Sequence, residues 1–191
     1  MKLSKKGEYA LRSLIILGIA AEVERDLVQV SELARSEQLP VKFLEQILHT
    51  LKDAGILESV RGKFGGYRLA RPAAKITIGE IVRLVDGPLA PIRCVSQTAY
   101  ESCSCPDEDH CGLRMLMLDV RNAIAGILDR YTLGDVVEIT LRRRRSASIP
   151  LPFSGEAGRT APPRRERRHA RSGGPLEAEG LLHHLLGDFS I

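Results

Sequence analysis

All four cysteines of the 191-residue chain fall within eighteen residues, at Cys94, Cys103, Cys105 and Cys111, in the pattern C-x8-C-x-C-x5-C. The segment between them is rich in Ser, Gln, Tyr, Glu and Asp and has almost no apolar residue that could bury it. A single free cysteine is most often a small core hydrophobe, but four in a polar loop point to thiolate chemistry. Four thiolates satisfy tetrahedral zinc, and thiolates also hold iron-sulfur clusters, with histidine replacing cysteine in some sites. Ligand type does not separate these metals, and thiol redox chemistry stays open beside them. His110, next to Cys111, is a weaker candidate ligand whose simpler role is that of a solvated ring.

The compartment narrows the choice. Met1-Lys-Leu-Ser-Lys-Lys-Gly has charge but no apolar run and cleavage site behind it. No apolar run reaches transmembrane length. A reducing cytoplasm without membrane attachment is therefore expected, where clustered cysteines bind metal or sense redox state rather than form structural disulfides.

Charge divides the chain into three parts. Residues 1–75 carry 13 Lys+Arg against 9 acids, residues 76–141 carry 5 against 10, and residues 142–191 carry 10 against 5. A basic front, an acidic middle and a basic tail result, and a basic front suits a polyanion.

The elements that position the loop follow from periodicity. Leu3 to Glu22 reads as a helix, with Leu11, Leu14, Ile15 and Gly18 on an i, i+3, i+4, i+7 stripe widened by Ala10 and Leu17. Ser31 stands where an N-cap would for a short second helix ending near Gln38-Leu39-Pro40. A third helix should run from about Pro40 to Ala54, with Pro40 in its first turn and Gly55 as a left-handed cap. Leu44, Ile47, Leu48 and Leu51 form its buried stripe, leaving Lys42, Glu45, Gln46, His49 and Lys52 outward.

Two such helices joined by a short turn make a helix-turn-helix, whose second member can lie in a DNA major groove. Leu57 to Arg61 and Tyr67 to Ala70, around Gly62-Lys63-Phe64-Gly65-Gly66, then read as a β-hairpin wing. Its tip presents Arg61, Lys63 and Arg68 on backbone that glycine lets approach a surface, as a phosphate backbone or minor groove requires. A nucleotide-binding loop is excluded here, since the glycines lack the G-x-x-x-x-G-K-[ST] order and no helix follows at once.

Lys5-Lys6-Gly7-Glu8-Tyr9-Ala10-Leu11-Arg12, Leu44-Glu45-Gln46-Ile47-Leu48, Val60-Arg61-Gly62-Lys63-Phe64-Gly65-Gly66-Tyr67 and Ile78-Gly79-Glu80-Ile81-Val82 together resemble the Rrf-type, IscR/NsrR-like family of winged helix-turn-helix transcriptional regulators. The resemblance covers about residues 1–140. It implies a dimeric bacterial transcription factor that binds double-stranded promoter DNA, several relatives being gated by an iron-sulfur cluster. It further implies that Glu45, Gln46 and Arg61 meet the operator. Their chemistry agrees, since Glu accepts from cytosine N4, Gln pairs with adenine and Arg suits narrow minor grooves.

The cysteine spacing departs from the family pattern of three cysteines about five residues apart. Only Cys105-x5-Cys111 keeps it; Cys94 lies farther upstream, Cys103 is extra, and Arg114 stands where one branch supplies a histidine. Pro40 and Lys42 also replace small hydroxyl residues usual in the best-known relative. Cys94, Cys105 and Cys111 are the first three candidate ligands, of a [2Fe-2S] or [4Fe-4S] cluster. Cys103 is the fourth by chemistry, and Glu8 is its rival by resemblance, reaching across from a second subunit.

Beyond the loop, Leu113 to Tyr131 reads as one long helix with Leu116, Val120, Ala123, Ile124, Ile127 and Leu128 on a stripe. That apolar face exceeds what one subunit needs, which suits a two-fold dimer. Thr132-Leu-Gly-Asp135 resembles a capping box opening a last short helix. From Arg142 the Arg- and Pro-rich composition predicts a disordered basic tail, with a brief helix at Leu181 to Leu186.

The sequence thus predicts a mainly α chain with a small β-hairpin wing. Residues 1–75 form a winged helix-turn-helix domain, 76–141 the cluster loop and dimerisation helix, and 142–191 the tail. The expected function is regulation of transcription, with repression the expected sign and the Cys94–Cys111 loop as the gate. A zinc-binding or thiol-redox protein without a transcriptional role is the alternative; neither a C-x-x-C motif nor a catalytic constellation points to an enzyme.

Overall fold

The computed structural model describes residues 2–153. The tail from residue 154 onward, including the expected helix at Leu181 to Leu186, lies outside them. Ten described elements run in order. They are α1 (Lys5–Glu22), α2 (Val30–Glu37), α3 (Val41–Asp53), β1 (Leu57–Val60), β2 (Gly66–Leu69), a 3-10 turn at Ala73–Lys75, α4 (Ile78–Asp86), a 3-10 turn at Arg93–Val95, α5 (Gly112–Arg130) and α6 (Leu133–Ser146). The fold is mainly helical with one antiparallel hairpin, in the register Leu57↔Leu69 to Val60↔Gly66.

Helix α1 is the hub. Ser4 caps it, accepting from the Gly7 amide at 3.0 Å, so the helix begins after the expected Leu3. Ala10, Ser13, Leu14, Leu17, Gly18 and Ile19 are all buried, because α2, α3, α4, α6 and the hairpin pack around it. Leu11 and Ile15, expected on the central stripe, are only half-buried at its edge. The Ser13 hydroxyl avoids a desolvation penalty by donating to the Tyr9 carbonyl at 2.7 Å.

Helix α2 starts one residue before the expected Ser31 cap. Gln29 is the N-cap, and the Glu32 carboxylate turns back to accept its amide at 3.0 Å. Helix α3 buries Leu44, Ile47, Leu48 and Leu51 as its period requires. Pro40 is its N-cap rather than a first-turn residue, and Gly55 follows its end at φ 71°.

One core crosses the boundary expected at residue 75, since Ile76, Ile81, Leu133, Val137 and Leu141 share it with the residues of α1 and α3. A short ladder joins the starts of α4 and α6, with the Ile78 amide donating to Tyr131 and the Leu133 amide to Ile76. Thr132 and Asp135 form the expected capping box. The helix they open is longer than expected and continues through Ser146, so Arg142 to Arg145 belong to α6 and not to a tail. Leu151 and Phe153 pack against the core, and the Arg25 guanidinium lies 4.7 Å from the Phe153 ring centroid.

Helix α5 differs from the rest: none of its residues is buried within the chain. Leu113, Met115 and Leu116 are each more than half exposed. Arg83 of α4 grips Asp129 of α5 through two hydrogen bonds of 2.6 Å. A Cβ at Gly79 would lie 2.0 Å from that carboxylate, so only glycine leaves room for the pair.

Candidate functional site

The loop after α4 folds back on the start of α5. Cys94 is buried in the 3-10 turn, Cys103 and Cys111 are half-buried, Cys105 is exposed, and none is in a disulfide. All four line one cleft of about 310 Å³, with Glu101 and Arg114 on its walls. Hydrogen bonding of the Cys105 S–H toward Cys103 and Cys111 pushes that thiol up to about 12, while burial first and Cys103 second raise that of Cys94.

This donor set fits a thiolate-bound cation. Burial and the neighbouring thiols hold Cys94 and Cys105 protonated, since adjacent thiolates would repel, and a metal centre would relieve that repulsion. Among the described residues no group of His, Cys, Asp and Glu side chains is already gathered as a metal-ligating set. The four thiols line one cleft without being gathered, so binding requires them to converge.

Two arginines of α5 hold this loop by its backbone. Arg121 Nη1 donates to the Val95 carbonyl at 3.0 Å and Arg114 Nε to the Cys94 carbonyl at 3.4 Å. Cys111 is itself the N-cap residue of α5. The loop and the long helix therefore cannot shift independently. Sequence reasoning missed Glu108, whose carboxylate accepts from Tyr100 Oη at 2.7 Å and from Cys103 Sγ at 3.7 Å. It also pairs with Arg114 at 3.3 Å.

The remaining candidate ligands lie elsewhere. Glu8 sits on α1, hydrogen-bonded to Lys5 at 2.8 Å and paired with Arg12 at 3.6 Å. The Lys5 ammonium holds its carboxyl below the usual range. It does not line the cysteine cleft of its own chain. His110 is exposed, its ring nitrogen 2.8 Å from Asp107, and it too is absent from the cleft wall.

The candidate DNA face is built by α3 and the hairpin. Lys42, Glu45, Gln46 and His49 are all exposed, at the i, i+3, i+4, i+7 spacing that puts them on one side of α3, opposite its buried leucines. Arg61 and Lys63 are exposed at the hairpin tip. Arg68 departs from the expected role. It pairs with Glu58 and, at 2.5 Å, with Asp26, bracing the hairpin against the turn after α1 instead of facing outward. The Val28↔Tyr67 bridge adds a second brace. No described helix is long and apolar enough to cross a membrane.

Residues 3–139 match the sequence model of a family described as Rrf2, iron-dependent transcriptional regulator. The chain is 38% identical to an rrf2-like HTH-type transcriptional regulator of Rhodobacter capsulatus, over 71% of this chain and 91% of that one. It is 31% identical to the transcriptional regulator IscR of Escherichia coli, over 72% and 80%. The solved structure of CymR, the global cysteine regulator of B. subtilis, superposes with a TM-score of 0.61 at 30% identity, covering 72% of this chain and 97% of that one.

Proposed function

This chain belongs to the Rrf2 family of transcriptional regulators, and from that premise we propose that it represses promoters as a cytoplasmic homodimer whose grip on DNA is set by an iron-sulfur group in the Cys94–Cys111 loop. Lys42, Glu45, Gln46 and His49 read the major groove, and Arg61 and Lys63 follow the backbone and minor groove. The apolar face of α5, which leaves Leu113, Met115, Leu116 and Val120 exposed in its own chain, pairs with its copy about a two-fold axis.

Cys94, Cys105 and Cys111 supply three thiolates and Cys103 the fourth, with Glu8 from a second subunit as the rival. The bound group supplies redox and nitrosylation chemistry that polar residues alone lack. Ligation needs the thiols deprotonated. The Glu108 carboxylate, which accepts from Cys103, is placed to take that proton.

The observation that carries the gating is the double hold of α5 on the loop, Arg121 to Val95 and Arg114 to Cys94. From α5 the path continues through Asp129 and Arg83 to α4. The Asp86 carboxylate at the end of α4 accepts the Ser4 amide at 2.8 Å, at the N-terminus of α1. Helix α1 packs on α3. Convergence of the thiols moves the start of α5, and the movement reaches the groove-reading helix along this chain of contacts. Such coupling requires two states of unequal DNA affinity.

Anaerobic purification with iron, sulfide and absorption measurements tests the reading. A brown protein with stoichiometric iron and sulfide is expected, and a colourless protein with stoichiometric zinc rejects the sensor. Four free thiols in one cleft support one second reading, a thiol-redox switch on the same regulator. A metal-free protein whose DNA binding still responds to thiol oxidation selects it.

A further inference from the structure

The most exposed large hydrophobic side chain among the described residues stands at the tip of the hairpin. Phe64 is 64% exposed, in a chain with only four phenylalanines and no tryptophan. Its position is held rigidly. The Gly65 amide closes a turn onto the Gly62 carbonyl at 2.9 Å, and Gly62 has φ 119°. A Cβ at Gly65 would fall 2.1 Å from the Val60 carbonyl oxygen, and one at Gly66 would fall 2.5 Å from that of Val28. Gln29 Nε2 clamps the Lys63 carbonyl at 3.2 Å. The tip is thus packed backbone on backbone, and the ring projects from it.

Cations are close to this ring in the chain. Arg61 just before the turn and Lys63 within it are both exposed, and the Lys63 ammonium lies 5.7 Å from the ring centroid. Phosphate binding alone needs the cations and glycines but no aromatic ring. An exposed aromatic costs solubility unless a ligand covers it. Apolar side chains flanked by cations are the kind that enter a minor groove and part a base step, at a cost that is smallest at flexible pyrimidine–purine steps.

We infer that Phe64 is an apolar wedge that the wing presses into the minor groove of double-stranded DNA, so that the chain selects deformable steps at a position where it makes no base hydrogen bond. The inference rests on the DNA-binding reading and adds a specificity determinant to it. Arg61 and Lys63 supply the salt-dependent attraction, and Phe64 supplies a preference that salt does not screen.

The test uses the full-length protein and the duplex that it enriches from a randomised library, with 2-aminopurine placed in turn at the flanking steps. With the native chain, fluorescence should rise at one step in each half-site, reporting unstacking. F64A should abolish the rise and weaken binding on the order of tenfold, as loss of one base-level contact does, with the slope of affinity against salt unchanged. F64L should retain most of both. Replacing the parted pyrimidine–purine step by a stiff A-tract should weaken the native chain but not F64A. Unchanged affinity and step preference in F64A overturn the proposal. So does a loss that comes with a shallower salt slope, because the ring then merely props Lys63. Failure to enrich any sequence overturns the DNA-binding reading itself, and this inference with it.

Discussion

Arg121 Nη1 donates a 3.0 Å hydrogen bond to the carbonyl of Val95, fastening the middle of α5 to the residue that follows Cys94. Val95 is almost fully buried, at 2% exposure, so its carbonyl has little water to turn to if the arginine is removed. Arg121→Ala should lower unfolding free energy by about 1–3 kcal/mol, the cost of an orphaned buried acceptor. It should also shorten the lifetime of the metal centre proposed for the loop. Urea unfolding and the decay of visible absorption in the presence of a chelator check the two effects. A variant with native stability and native decay contradicts this role.

The two arginines of the hairpin should behave in opposite ways. Arg61 is exposed at the tip, while Arg68 is committed to Glu58 and Asp26. Arg61→Ala, like Glu45→Ala on α3, should weaken specific DNA binding by about 1–3 kcal/mol without a change in unfolding midpoint. Arg68→Ala should lower the unfolding midpoint and leave the salt slope of DNA binding as it was. Equal effects of the two substitutions on the salt slope would reject the division.

Helix α5 supplies a third expectation. Leu116 is 57% exposed in the single chain, so a charge there costs the monomer little. Leu116→Asp should convert a dimer into a folded monomer by sedimentation equilibrium, with far-ultraviolet dichroism preserved. DNA affinity should fall with it, because a two-fold operator needs both subunits. A variant that remains dimeric places the interface elsewhere.

Much of this was legible in periodicity. The buried stripe of α3, the hairpin and the capping box at Thr132 follow from local pattern, because each is decided within a few residues. Contacts between distant segments were not legible. Arg68 looks like a wing-tip cation until the turn holding Asp26 is known to lie beside it. Leu11 and Ile15 sit at the edge of α1's packing because five elements crowd that helix, which a one-face stripe does not foresee. Arg142 looked like the start of a tail, since four consecutive arginines outweigh the Leu141 that anchors the last turns of α6. Glu108 gave no signal at all. Its partners Tyr100, Cys103 and Arg114 meet only because an irregular loop closes.

The link between α4 and α5 should show in the pH dependence of stability. Arg83 hydrogen-bonds Asp129 and holds its carboxyl below the usual range. A depressed folded-state value means that the unfolded chain takes up the proton first as pH falls. The contribution is therefore complete above the unfolded value of about 3.9 and disappears as pH drops through the lower folded value. The pair is partly exposed, so its share should be below about 1 kcal/mol. Asp129→Asn should destabilise the protein slightly at pH 7 and not at pH 2, measured by urea unfolding at both. A stability gap that persists in acid contradicts the assignment.

In the proposed regulator the state of the cysteine loop sets the grip of the recognition helices. Fluorescence anisotropy measures that coupling, with one labelled operator duplex titrated by the same preparation before and after its metal centre is removed anaerobically by a chelator. The two affinities should differ by roughly 5- to 150-fold, the usual span of allosteric coupling. Identical affinities for the intact and stripped dimers would contradict it.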